Sequence, residues 1–209
     1  MVRTFVLCAA LLWAAWAGAT RLTHGFQAWT EEGARRIEVA RAPVPAPGVA
    51  VQGPGVGARD LRGLLANGRD VSIVEFVYTH CETLCLAGGT VFQQMQATLQ
   101  AAAKPAHVQL VSISFDPARD DRARLATYAK SMGADPRWWH FVRVPTPAAT
   151  QTLLDAFRVV VVPDGRGDFQ HNAALLVVDR QGRLLRIFDF AEQQLALDYA
   201  VHLAEGGAP

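Results

Sequence analysis

Cysteine is scarce in this chain, with three residues in 209, which excludes a small domain stapled by several disulfides. One of the three, Cys8, lies inside an apolar N-terminal run and is too early and too poorly flanked for a lipoprotein cysteine. It is read as a small apolar residue. An excess of one charge is also missing: 20 Lys and Arg stand against 19 Asp and Glu, for a formal net charge of +1. No basic stripe or Lys/Arg run appears, and this excludes a nucleic-acid-binding function. Internal repeats are absent. What is present is an ordinary globular composition, 51% hydrophobic and 19% charged, enough for one medium domain with terminal extras.

The N-terminus is a separate element. Arg3 precedes an uncharged run from Phe5 to Ala19 that ends in Ala17-Gly18-Ala19, a small-residue cleavage pattern. The run itself is shorter than the roughly 20 residues of a spanning helix. The positive charge in front of it predicts that the remainder is translocated. Residues 1–20 are therefore a signal peptide or an uncleaved membrane anchor. Retention is expected, with Trp13 and Trp16 suited to the bilayer interface. Thr30-Glu31-Glu32 reads as a helix N-cap with an acidic first turn, opening a helix to Arg41. The segment from Ala42 to Gly48, with three prolines, reads as an extended linker. Residues 21–48 thus form a helix and Pro-rich linker, and residues 49–209 the domain.

Within that domain, Val71 to Tyr78 and Val108 to Phe115 are β-branched, aromatic runs that read as strands. Thr83 to Ala103 reads as a long helix with Met95 and Leu99 on one face. Asp120 to Met132 reads as a helix with Asp120 as its N-cap. Phe141 to Val144 and Val159 to Val162 read as short strands on either side of a helix that starts at Pro147. Ala174 to Asp179 and Leu184 to Phe190 flank Arg180-Gln181-Gly182-Arg183 as a hairpin, and a last helix runs from Ala191 to Glu205. This order is βαβ followed by ββα, with an extra segment from Trp138 to Asp168 between the halves. The fold class is α/β, a thioredoxin-like fold with a mixed central sheet flanked by helices.

The chemistry concentrates where the first strand runs into Cys81-Glu82-Thr83-Leu84-Cys85. Cysteines at i and i+4 at a helix start lie on one face, about 5–6 Å apart at Cβ. A helix N-terminus lowers thiol pKa and so raises the thiolate fraction that metal binding and disulfide exchange both need. Three intervening residues make a wider bite than the C-x-x-C of thiol-disulfide oxidoreductases, compatible with a soft metal such as Cu(I). A simple structural disulfide is the bland alternative, and it does not explain the strand-to-helix placement. Two cysteines do not complete a zinc site or hold a cluster, so a third ligand must come from elsewhere.

Six histidines are available. His24, His107, His140 and His202 read as surface or ordinary core residues. His80 adjoins Cys81, but in extended chain its side chain points the opposite way. His171 sits in the loop before the first hairpin strand, which in this fold faces the cysteine helix. A lone loop histidine is ordinarily solvent-exposed, and the residues by themselves leave its role open.

Phe76-Val77-Tyr78-Thr79-His80-Cys81-Glu82-Thr83-Leu84-Cys85 resembles the F-x-Y-T-x-C-x-x-x-C motif of the Sco (SenC/PrrC) copper proteins. Val111-Ser112-Ile113-Ser114-Phe115-Asp116-Pro117-Ala118-Arg119-Asp120 is similar to their V-S-x-S-x-D-P-x-x-D segment. His171-Asn172-Ala173-Ala174-Leu175, with Asp179 and Gly182 downstream, resembles a third. The resemblance spans Leu61 to Phe190 with the three motifs in order. It implies copper, as Cu(I), Cu(II) or both, held by Cys81, Cys85 and His171. It also implies a metallochaperone or assembly factor for the dinuclear copper centre of cytochrome c oxidase, more a binding protein than an enzyme. The implied partners are the copper domain of oxidase subunit II, a copper donor protein and the membrane. The implied place is the periplasmic side of a bacterial inner membrane. The alternative implied by the same thiols is a thiol-disulfide reductase that keeps the oxidase cysteines reduced. A peroxiredoxin-type peroxidase lacks its Thr-x-x-Cys setting and activating arginine.

Two positions depart from the family pattern. Leu86 stands where a proline usually follows the second cysteine. Gln170 stands where an aspartate commonly precedes the histidine, and a carboxylate there would orient the imidazole. Asp116 is left open between a loop and the surroundings of the site. Trp138 and Trp139 are expected in the core or on a docking edge, and Glu82 and Arg166 at the mouth of the site.

Overall fold

A computed structural model of the chain describes residues 1–80, 84–102, 107–165 and 167–208, with the side chains of residues 84–87 outside that description. The chain divides into two compact units, Met1–Arg41 and Ala42–Pro209.

In the first unit, α1 (Val2–Leu22) is 21 residues long, so at 1.5 Å per residue it measures about 31 Å, the thickness of a bilayer's hydrocarbon core. Phe5, Leu11, Leu12, Trp13 and Trp16 are all exposed along it. The helix outruns the expected apolar run because its polar end satisfies itself: the Thr20 and Thr23 hydroxyls donate back to the carbonyls of Trp16 and Ala19. It is long and apolar enough to cross a membrane. A second helix, α2 (Glu31–Arg41), starts where Thr30 was expected to cap it, and the Thr30 hydroxyl accepts from Gly33 N at 3.0 Å.

The second unit is built on a six-stranded sheet. Its strands are β1 (Val44–Pro45), β2 (Val71–Val77), β3 (Val108–Ser114), β4 (Trp139–Arg143), β7 (Leu175–Val178) and β8 (Arg183–Phe188). Their order is β1-β8-β7-β2-β3-β4. β2, β3 and β4 are parallel, and β7 runs antiparallel to β2, giving the mixed sheet that the order of elements predicts. Between β4 and β7 lie α6 (Pro147–Phe157), β5 (Val161–Pro163) and β6 (Phe169–His171). The last two form a separate two-stranded ribbon.

The expected linker differs in one respect. Val44 and Pro45 pair with Leu184 and Arg183 of β8, and Ala46 is buried, so the Pro-rich stretch closes an edge of the sheet. Proline is tolerated there because an edge strand leaves one side of its backbone unpaired.

β2 and β3 are buried along their whole length, as central parallel strands covered on both faces must be. On one face, α4 (Leu84–Ala101) supplies Phe92, Met95 and Leu99, and α7 (Gln193–Ala204) supplies Ala196, Leu197 and Ala200, packing on Ile73, Leu110, Phe141 and Trp139. On the other, α6 covers the sheet, with Phe157 set edge-on to Phe76 at 6.2 Å. Of the two adjacent tryptophans, Trp139 is the core residue. It stacks on Phe92 and Phe141 and donates its indole N–H to Ser112 Oγ at 2.8 Å.

Phe92 is fully buried at the centre of the α4 face. Phe92→Ala is expected to cost about 3–5 kcal/mol through lost burial and a cavity, read as a lower urea midpoint with an unchanged slope.

Candidate metal centre

The two cysteines belong to the segment that leaves β2. Cys81 lies outside the described residues, as do Glu82 and Arg166. Cys85 is the second residue of α4, with its backbone in the first helical turn and its side chain outside the description. What the structure does describe is how the approach to Cys81 is fixed. Asp120, fully buried, accepts from the Thr79 backbone N–H at 3.0 Å, from the Thr79 hydroxyl at 2.5 Å and from the Ser114 hydroxyl at 2.6 Å. Arg124 Nε donates to the same Thr79 hydroxyl at 3.0 Å. A buried carboxylate that accepts several hydrogen bonds is compensated for its desolvation. Here that compensation joins the ends of β2 and β3 two residues ahead of Cys81.

This corrects the expected role of Asp120. The cap of α5 (Arg122–Ser131) is Asp121, whose carboxylate accepts from Arg124 N at 2.7 Å. Two adjacent aspartates divide the work, one capping the helix outward and one bracing the strands inward. His80 is exposed, in the turn that follows β2.

His171 is not in a loop but ends β6, opposite Val161 of β5. Strand alternation places Phe169 and His171 on one face of the ribbon. Both rings meet Phe115 edge-on, at 5.6 and 5.1 Å between centroids. Phe115 and Phe169 in turn each lie 5.3 Å from Tyr78, three residues before Cys81. A chain of aromatic contacts therefore carries the histidine to the C-terminal end of β2, where the cysteine segment begins. Gln170, between the two rings, is exposed on the opposite face, so the missing family carboxylate is not replaced in contact with the imidazole by this residue.

Both ring nitrogens of His171 are shielded from water and have no hydrogen-bond partner among the described residues. Burial pushes its pKa down to about 4, so the ring is neutral at physiological pH. A neutral imidazole whose buried nitrogens lack partners is costly in the fold by itself and is the form that binds a metal ion. Its lone pair fits a borderline or soft cation, and together with two thiolates it would make a set suited to Cu(I) or Cu(II). Among the described residues, no three His, Cys, Asp or Glu side chains converge on a point; the side chains of Cys81 and Cys85 lie outside that description.

Two further carboxyl groups are buried in this part of the molecule. Glu75 stands alone among apolar neighbours in the middle of β2 and is fully buried. Its Oε1 accepts from Ser112 Oγ at 2.6 Å, while Oε2 has no hydrogen-bond partner among the described residues. Oε2 faces Gly88 of α4, where an added Cβ would lie 2.6 Å away. That glycine lets the helix bearing Cys85 close over a carboxyl group. The second is Asp116, also buried, which pairs with Arg119.

A scan against family models matches residues 56–202 to SCO1/SenC. Among curated proteins, the SCO1 protein homolog of Bacillus subtilis (strain 168) is 24% identical over 125 residues, covering 59% of this chain and 64% of that protein's length. Among solved structures, Bradyrhizobium japonicum ScoI with copper bound superposes with a TM-score of 0.56 at 23% identity, covering 76% of this chain and 98% of that one. BsSco, described as a member of the Sco family of cytochrome c oxidase assembly proteins with a disulfide switch, gives a TM-score of 0.65 at 19% identity, covering 79% and 95%.

The Glu75 carboxyl is raised from 4.5 to about 8 by burial, against the smaller opposing effect of the Ser112 hydrogen bond. Between those two values the unfolded chain loses this proton and the folded chain keeps it, so rising pH draws the equilibrium toward unfolding. Glu75→Gln removes the dependence. Relative to that variant, the parent protein is expected to lose up to about 1.4 kcal/mol of stability per pH unit between those limits, measured by urea titrations at a series of pH values.

Proposed function

The chain belongs to the SCO1/SenC family, and from that premise we propose that it is a copper-binding assembly factor that loads the dinuclear copper centre of cytochrome c oxidase. The observation that carries the reading is the His171 imidazole: neutral, with both ring nitrogens buried and without a hydrogen-bond partner among the described residues, and held against Phe115 at the end of β3, beside the strand that leads into Cys81. Cys81 and Cys85 supply two thiolates from a strand-to-helix turn, and His171 the third ligand from the ribbon. Two soft sulfurs and one nitrogen hold copper in either oxidation state without the closed tetrahedral set that would commit the site to structural zinc. Copper is cargo here, and a three-ligand site leaves room for an acceptor's ligand to enter.

An anchor at α1 would keep the domain on the periplasmic face of a bacterial inner membrane, beside its acceptor, the copper domain of oxidase subunit II. The copper-bound state of ScoI and the assembly role given for the BsSco family support the reading by relationship. The same two thiols would also serve the alternative, reduction of the acceptor's cysteines, in which the histidine has no part.

Anaerobic titration of the detergent-solubilised chain with Cu(I) is expected to saturate at one equivalent, and Cys81→Ser or Cys85→Ser to abolish tight binding. His171→Ala is expected to weaken binding about 10- to 100-fold. A stoichiometry well below one that His171→Ala leaves unchanged would favour the reductase, which mixed-disulfide trapping with Cys85→Ser would then reveal.

A further inference from the structure

The ribbon that carries His171 stands outside the main sheet, and two strands of three residues each do not hold their own geometry in water. Something must fix the ribbon to the body. Its base is tied by Asn172, whose side chain accepts from Val160 N at 2.8 Å and donates to Arg158 O at 3.2 Å. Its turn is closed internally, with Asp168 N donating to Asp164 Oδ1 at 2.9 Å and Asp164 N donating to Asp168 O at 2.9 Å. Neither set joins the tip to the sheet.

That junction is made by Arg119 and Tyr78. The guanidinium of Arg119 lies over the faces of Phe169 at 5.1 Å and Tyr78 at 5.8 Å. Its Nε donates to the buried Asp116 carboxylate, and its Nη1 donates to the backbone carbonyl of Gly167 at 2.5 Å. Tyr78 adds a hydrogen bond from its hydroxyl to Asp168 Oδ1 at 3.2 Å. One planar cation thus touches the loop after β3, the end of β2 and the tip of the ribbon at once. It has a fixed fork for two acceptors and two faces for aromatic rings.

We propose that Arg119 is a positioning residue for copper: it latches the β5–β6 ribbon to the sheet and so holds the His171 ring against Phe115, at the end of the sheet from which the chain goes on to Cys81. The inference rests on His171 being a ligand, as proposed above, only for its consequence in copper binding. The latch itself is a statement about the ring's position. Lysine does not substitute for the arginine, because an ammonium neither stacks in this way nor reaches two acceptors in a fixed plane.

The test uses the full chain in detergent, with histidine labelled at the ring carbons, and the variants Arg119→Ala, Arg119→Lys, His171→Ala and Arg119→Ala/His171→Ala. Without copper, the His171 ring signals, set by the neighbouring Phe115 ring, are expected to move in both single Arg119 variants while the other histidine signals stay. With Cu(I), Arg119→Ala is expected to raise the dissociation constant about tenfold and Arg119→Lys to raise it by less. In the His171→Ala background, the same Arg119 change is expected to add less than twofold, since the arginine acts through the histidine.

Unmoved His171 signals in Arg119→Lys, or an equal loss of affinity in the His171→Ala background, would overturn the latch. If Arg119→Ala does not fold, Arg119→Lys decides by the same two readouts. If His171→Ala binds copper like the parent, the ligand reading falls instead, and the ring signals still decide the latch.

Discussion

The arrangement of the site depends on one buried carboxylate. Asp120 accepts three hydrogen bonds from Thr79 and Ser114, and in doing so ties together the C-terminal ends of two adjacent parallel strands. At those ends the ladder between β2 and β3 runs out, and each strand would otherwise leave polar groups unpaired in a covered sheet. Removing this acceptor would strand a backbone N–H and two hydroxyls in the interior. The carboxylate does for the ends of the strands what ladder hydrogen bonds do along them. From one strand the chain goes on to Cys81; from the other it goes to Phe115, against which His171 rests. Both halves of the proposed ligand set therefore depart from a single fixed junction.

Much of this was legible in the residues, because the signals were local. Strands β2 and β3 are continuous β-branched runs, α6 begins with a proline after Thr146, and the helix after Thr30 has its cap and acidic first turn. The order of elements predicts the mixed sheet. What was not legible depends on which of two chemically equal groups wins a place. Asp120 and Asp121 are adjacent and equally good caps by type. In the fold the second caps α5, while the first turns inward to Thr79 and Ser114. Val44-Pro45 reads as extended linker or edge strand with equal ease, and the exposed edge of β8 makes the difference. His171 reads as a loop residue because three-residue strands leave little periodicity to detect.

Glu75 and His171 share a physical condition reached from opposite sides. Burial removes charge from each, by raising the pKa of the carboxyl and lowering that of the imidazole. Neither is compensated by an ion pair among the described residues. The carboxyl keeps one hydrogen bond from Ser112 and sits under Gly88, one helical turn after Cys85. The carboxyl is thus a polar but uncharged group under α4, whereas Asp120 is satisfied by three hydrogen bonds.

The division of the site between two kinds of support has a mechanical consequence. Strand β2, from which the chain goes on to Cys81, is buried along its whole length, and displacing that strand would disturb the core. The histidine half rides on a two-stranded ribbon that contributes nothing to the six-stranded sheet. It is held by aromatic edges, the Arg119 fork and a few hydrogen bonds. Contacts of that kind are individually worth about 1 kcal/mol, small beside the cost of opening the core. A metal carrier must hold its cargo and also surrender it. On the proposed ligand set, the nitrogen is therefore the ligand whose support costs least to displace.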